Sequence, residues 1–239
     1  IIAEAWAITR REKSLRRWGF ASSFFKLLLN LKLISYQAYF IWEAVSGHTG
    51  GGFFDIEIAI YNSMPRWFFW TFVIFFAILL FIEFFFPHLA TGAIIGLGAK
   101  AYQKDKVKGG LVLALYNFFP VFAIHEGLVL GSLSTLITVI SVVIRYVEGG
   151  VQYPIIIILI SVWAFSNILK FFFAFAAEAV VIKRVTVFEA LGQSFKLIIS
   201  YLGRVMFLVL LLFVISIRIL LNAAIVILIP GIVIGLAML

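Results

Sequence analysis

Cysteine is absent from the 239 residues. That excludes disulfides, Cys-ligated zinc, iron–sulfur clusters and a thiol nucleophile. Histidine occurs three times, never in the HExxH pattern of a zinc-protease helix. Charge is scarce, at 13% of residues where soluble domains carry about 25%. What fills the chain is apolar: 64% of residues are hydrophobic and 27 are Phe. A soluble fold of this size cannot hide so much apolar surface, so the bilayer is the expected solvent. The class is an all-α integral membrane protein, with 1–239 as one polytopic domain. The net charge of +8 would suggest nucleic acid for a soluble protein. Here the basic residues cluster beside the apolar runs. Their expected partners are membrane lipids, above all anionic phospholipids, and not nucleic acid.

The chain begins Ile-Ile and ends GLAML within an apolar run. It reads as the ordered part of a longer protein. Its first residues place charge after the apolar residues, the reverse of a signal peptide.

About 20 apolar residues cross the hydrocarbon core. On that basis the runs predict six spans: 19–42, 67–86, 111–144, 154–182, 205–229, and an incomplete one over 230–239. The third is longer than a bilayer requires. It predicts a short interfacial helix, a turn near residues 117–120 where Pro120 removes a backbone donor, and then the crossing helix.

Basic residues fall in alternate links. One group is Arg10, Arg11, Lys13, Arg16 and Arg17. A second is Lys100, Lys104, Lys106 and Lys108. A third is Lys183, Arg184, Lys196 and Arg204. The other links hold only Arg66 and Arg145 against Glu43, Asp55, Glu57 and Glu148. The positive-inside rule therefore predicts a cytoplasmic N-terminus.

The segments 3–18, 101–117 and 186–202 read as three copies of one unit: interfacial helix, elbow, crossing helix. Gly19, Gly109, Gly110 and Gly203 mark the elbows. A helix with a basic face and an apolar one lies in the headgroup plane. Its plain role is topological anchoring. The sharper reading is a cytoplasmic docking surface made of Arg10, Arg11, Arg16, Arg17, Lys104, Lys106, Lys108, Lys183 and Arg184.

Two stretches carry a family likeness, EAWAITRREKSLRRWGF and AAEAVVIKRVTVFEALGQSFKLIISYLGRVMF. Together they resemble a bacterial group of six-span membrane proteins. The group includes the membrane domain fused to glycerophosphoryl diester phosphodiesterases and uncharacterised relatives. The resemblance covers most of the chain. It implies the fold and a location in the bacterial inner membrane. The soluble catalytic domain of the fused members, rich in His and Glu, has no counterpart here, so the resemblance implies no enzymatic activity.

An ionisable residue inside a span costs several kcal/mol unless it is paired or faces water. Lys26, Asn30 and Gln37 share one face of the first span, at spacings of four and seven. That face points into the bundle. Lys26 snorkels to the near surface and Lys32 lies deeper. Glu83 and His88 close the second span. His125 and Glu126 are adjacent, so they point about 100° apart and do not face one site together. Lys170 in the fourth span and Arg218 in the fifth need acidic partners, and Glu126 is the best-placed carboxylate for either. The expectation is a buried polar cluster of Glu126, Lys170, Arg218 and Asn222. It serves either as a structural ion-pair network or as a site for an anionic headgroup, a carboxylate or a proton.

Gly92, Gly96 and Gly98 match small-residue helix contacts. A phosphate loop would need a preceding strand and a following Lys-Ser or Lys-Thr, and has neither. His48, Asp55 and Glu57 offer at most a weak cation site in the link after the first span. No catalytic constellation, metal site or cofactor motif emerges. The leading functional reading is a non-catalytic membrane scaffold or complex subunit, lipid-interacting, with a protein partner or a homo-oligomer. The alternative is a transporter or lipid-handling protein that uses the cationic cluster as an anion site.

Overall fold

In a computed structural model of the chain, residues 2–46, 55–147 and 149–237 are described. Among them the secondary structure is helical, with no strand. Eleven α-helices follow in order: α1 Ile2–Arg11, α2 Lys13–Val45, α3 Asp55–Ser63, α4 Arg66–Tyr102, α5 Gly110–Tyr116, α6 Phe118–Gly127, α7 Leu133–Tyr146, α8 Gln152–Phe172, α9 Ala176–Lys183, α10 Val187–Ser200 and α11 Leu202–Ala237. Short 3-10 turns at Val129–Gly131 and Gly149–Val151 precede α7 and α8. The chain divides into two compact units, Ile1–Ser194 and Phe195–Leu239.

Three segments are long and apolar enough to cross a membrane: Arg66–Tyr102, Gly149–Lys183 and Leu202–Asn222. A fourth is available if α5 and α6, bent by 57° at Asn117, count as one. Phe72, Ile74, Phe75 and Ile78 on α4 and Ile157, Ile158 and Phe165 on α8 are exposed. A run of outward aliphatic and aromatic side chains of this kind suits lipid.

The first unit is built on α2 and α4. They run antiparallel: Trp18 stacks on Phe86 at 5.7 Å, and Lys32, two turns past Phe25, reaches Glu83 and Phe76. Helix α2 is 33 residues long, but Lys26, Asn30, Lys32 and Gln37 keep it out of the apolar class. Lys32 finds a partner, and Lys26 and Asn30 a cavity, inside the bundle instead of lipid. Helix α4 also packs on α5, α6 and α9, and α7 lies between α2 and α8.

Several expected boundaries move. The interfacial helix placed at 3–18 breaks at Glu12, whose backbone is extended, and α2 runs unbroken through Gly19. The cause is packing: Leu15 is buried with Leu97 and Ala101, and Trp18 and Ile8 lie against the same cluster. The segment 13–18 is thus clamped to α4 as the first turns of α2. The second span, expected to end at Phe86, continues to Tyr102 through Pro87 and the Gly-rich stretch. The link shrinks to residues 103–109, where Lys104 and Gly109 adopt positive φ. Gly109 alone among the expected elbow glycines has the left-handed backbone that favours glycine. The third span is interrupted twice, at Asn117 as expected and again at 128–132, so 111–144 is no single crossing helix. In the second unit the expected break at Pro230 is absent, and α11 continues to Ala237. Membrane helices tolerate proline when the freed carbonyl finds another partner. His48 lies outside the described residues, as do the side chains of Asp55 and Glu57.

Candidate functional site

Within the first unit, α2, α4, α6, α8 and the start of α7 enclose a cleft of about 970 Å³. Its polar lining comes from five elements. Ser22, Lys26 and Asn30 belong to α2, Glu83, His88 and Thr91 to α4, His125 and Glu126 to α6, Ser132, Ser134 and Thr135 to the start of α7, and Lys170 to α8. Residues 26 and 30 are one turn apart, so one face of α2 supplies both.

Lys170 reaches the cleft because of a glycine. A Cβ at Gly131 would lie 2.9 Å from Cε of Lys170 and 3.2 Å from its Nζ. The 3-10 turn before α7 is therefore a groove for the lysine stem. Lys170 also lies just before the break between α8 and α9. There Ser194 replaces the lost helix bonds: its Oγ donates to the Phe172 carbonyl at 2.9 Å and accepts from the Phe175 amide at 3.1 Å.

Two carboxylates belong to this region. Glu83 is fully buried in the cleft wall, and its Oε1 accepts from Lys32 Nζ at 2.7 Å. Its Oε2 has no hydrogen-bond partner. Lys32 also stands 5.1 Å from the Phe76 ring centroid. Glu126 Oε1 lies 3.2 Å from His88 Nε2. The His88 and His125 rings are 5.6 Å apart. Lys26 and Lys170 interact electrostatically with each other and with His125. Glu126 feels the charge of Lys170. Yet among the described residues neither Lys26 nor Lys170 has a carboxylate at ion-pair distance.

Of the expected cluster, Glu126 and Lys170 come to one cleft, and Lys26 and Asn30 join them. Arg218 and Asn222 belong to the second unit, one turn apart on α11 and exposed. Gln37 is buried on α2, and its Oε1 has no hydrogen-bond partner. The nine residues of the expected basic surface, Arg10, Arg11, Arg16, Arg17, Lys104, Lys106, Lys108, Lys183 and Arg184, are all exposed.

One sequence expectation about α6 is corrected. His125 and Glu126 do line one cleft, because it wraps the C-terminal end of a short helix and so spans more than 100° of its circumference. His125 also has a second imidazole near it, His88, delivered by α4. The pairs Lys32–Glu83 and His88–Glu126 escaped the sequence reading. One signal was present: Lys32 and Glu83 are opposite charges set deep in consecutive apolar runs. Among the described residues no three His, Asp or Glu converge as a metal ion requires.

The cleft therefore gathers two ammonium groups, two carboxylates, two imidazoles and several serine and threonine hydroxyls, bounded by Leu29, Leu33, Leu80, Phe81 and Phe84. No protein-family model, curated protein or solved structure matches the chain.

Proposed function

We propose that this chain is a multi-pass membrane protein that takes an anionic ligand into the cleft of its first unit, as a transporter or a lipid-handling protein does. One observation carries the reading: Lys26 and Lys170 face the same cleft with no carboxylate at ion-pair distance. A lysine charge held away from bulk water costs free energy unless an opposite charge is near. Glu126 lies 3.2 Å from His88 and attracts Lys170 without reaching ion-pair distance. A bound anion supplies the direct contact that both lysines lack.

Native mass spectrometry of the protein purified gently from its own membranes tests this. The wild type retains an anionic lipid or other anion, and the Lys26→Gln/Lys170→Gln variant loses it. Equal retention by the double variant sinks the reading.

The finer setting is part of the same proposal. The resemblance to the bacterial six-span group and the grouping of base support an inner-membrane location with a cytoplasmic N-terminus. Within the first unit, crossings by α2, α4, the bent segment and α8–α9 put the basic residues of 10–17, 100–108 and 183–184 on one side, and α11 is a fifth crossing in the second unit. A sixth crossing would need a turn that α11 does not make before Ala237.

A second reading, a scaffold or subunit of a membrane complex, is favoured by α10. Phe188 is 87% exposed there, a few residues from Lys183 and Arg184. A stoichiometric protein partner in the same spectra, lost in Phe188→Ser, supports that reading. A protein free of partners rejects it.

A further inference from the structure

We infer that the ligand is an amphiphile, with a phosphate-class oxyanion head held by Lys26 and Lys170 and one apolar chain lying along the α2–α4 wall. The inference rests on the anion-site reading above and adds the ligand's shape and class.

The first ground is the direction of the cleft. The α2–α4 pair is antiparallel, so position along one helix fixes position along the other. Ser22 and Lys26 of α2 meet His88 and Thr91 of α4 at one end, and Leu33 of α2 meets Leu80 and Ala77 of α4 at the other. Eleven residues of α4 separate His88 from Ala77, which is about 16 Å of helix. Along that distance the lining passes from cations and imidazoles, by the Glu83 carboxylate that is paired with Lys32, to leucine, phenylalanine and alanine. A small inorganic anion would use the first few ångströms alone. An amphiphile uses the whole length.

The second ground is volume. About 970 Å³ sits at the upper end of the range for small-molecule sites. A lone oxyanion would leave most of that space, and all of its apolar wall, without contacts.

The third ground is the number of directions from which donors arrive. Lys26, His125 and Lys170 come from three different helices, α2, α6 and α8. A planar carboxylate presents two oxygens in one plane. A tetrahedral phosphate presents oxygens in several directions and suits donors arranged around it. The lysines act as compact point charges with three donors each.

The test uses the full chain in a neutral detergent, with dodecyl phosphate, butyl phosphate and inorganic phosphate as probes and thermal stabilisation read as affinity. Dodecyl phosphate is expected to bind about tenfold or more tighter than butyl phosphate, because each buried methylene adds to affinity. Ala77→Phe, which fills the apolar end from an exposed position, is expected to cancel most of that chain-length advantage. Lys26→Gln/Lys170→Gln is expected to weaken all three probes. If inorganic phosphate binds as tightly as dodecyl phosphate, or if Ala77→Phe leaves the advantage intact, the amphiphile is overturned while the anion site stands. If the double lysine variant binds dodecyl phosphate as the wild type does, both readings fall. Variants that match the wild type in helical circular dichroism and elution volume are the ones compared.

Discussion

At the scale of single residues, two lysines divide the work between stability and binding. Lys32 is spoken for: its ammonium lies 2.7 Å from a fully buried Glu83 carboxylate. Removing it leaves a carboxylate charge with no counter-ion in a dry wall. Breaking a buried pair costs about 3–5 kcal/mol, whereas replacing both partners with apolar residues costs far less. Lys32→Met is therefore expected to lower the thermal midpoint sharply, and Lys32→Leu/Glu83→Leu to recover most of the loss. A double-mutant cycle in detergent reads the coupling, and additive losses would mean the pair is not coupled. Lys170 is the opposite case. Gly131→Ala places a methyl group 2.9 Å from its Cε, and the lysine stem is free to swing aside. The expected result is near-wild-type stability with weakened phosphate binding. A large stability loss would show that Gly131 serves the fold and not the lysine. The sequence pointed to Lys26, Asn30, Glu126 and Lys170 as inward-facing. It missed the pairs Lys32–Glu83 and His88–Glu126 because pairing depends on the register between helices, which side-chain periodicity does not encode. Glu83 shows the mechanism of the error. With the second span ended at Phe86 it read as a surface residue. In α4 it lies 17 residues after Arg66 and 19 before Tyr102, at the middle of the helix and opposite Lys32.

At the scale of helices, α4 holds the first unit together through its small residues. A Cβ at Gly92 would meet Asn117 Cβ at 3.1 Å, and one at Gly96 would meet the Leu113 side chain at 3.0 Å. The first contact is at the bend between α5 and α6, and the second is within α5. Gly98 has nothing within 4 Å. Gly92→Val and Gly96→Val are expected to force α5 off α4 and destabilise the protein by about 1–3 kcal/mol, the usual cost of overpacking. Gly98→Ala is expected to be neutral or to stabilise by up to about 1 kcal/mol, through helix propensity alone. Thermal unfolding of the three variants separates these outcomes, and equal effects at 96 and 98 would contradict the packing. The sequence spacing suggested that all three glycines serve contacts. Two do, since residues four apart share a face and Gly98 lies off it. Helix class was legible from the apolar runs, because lipid and helix cores both demand continuous apolar stretches. The ends were not. Neither Pro87 nor Pro230 stops its helix, while Glu12, with no side-chain cap, does interrupt one. The deciding contacts there, such as Leu15 on Leu97 and Ala101, join residues more than 80 positions apart.

At the scale of the whole molecule, the absence of cysteine becomes an experimental advantage. Every single-cysteine variant is free of background thiols, so membrane sidedness can be read position by position. Lys106 lies in the exposed link between α4 and α5, and Arg184 follows the exposed end of α9. Arg66 begins α4 at its opposite end. If the basic links face the cytoplasm, Lys106→Cys and Arg184→Cys in intact cells are blocked by a membrane-permeant maleimide and ignored by an impermeant one. Arg66→Cys is then labelled by both. Helix α4 supplies the internal control: its 37 residues span about 55 Å of helix, more than the hydrocarbon core is thick. Its two ends therefore cannot share one surface if it crosses upright. Equal labelling of Lys106→Cys and Arg66→Cys by the impermeant reagent would show that α4 does not cross. Reversed labelling would keep the crossing and invert the protein. The sign matters for the cleft, because Lys26 and His88 lie toward the Lys106 end of the α2–α4 pair and Leu33 and Ala77 toward the Arg66 end. With base in the cytoplasm, an amphiphile bound there has its head toward the cytoplasmic leaflet. With the opposite labelling it has its head toward the outer one.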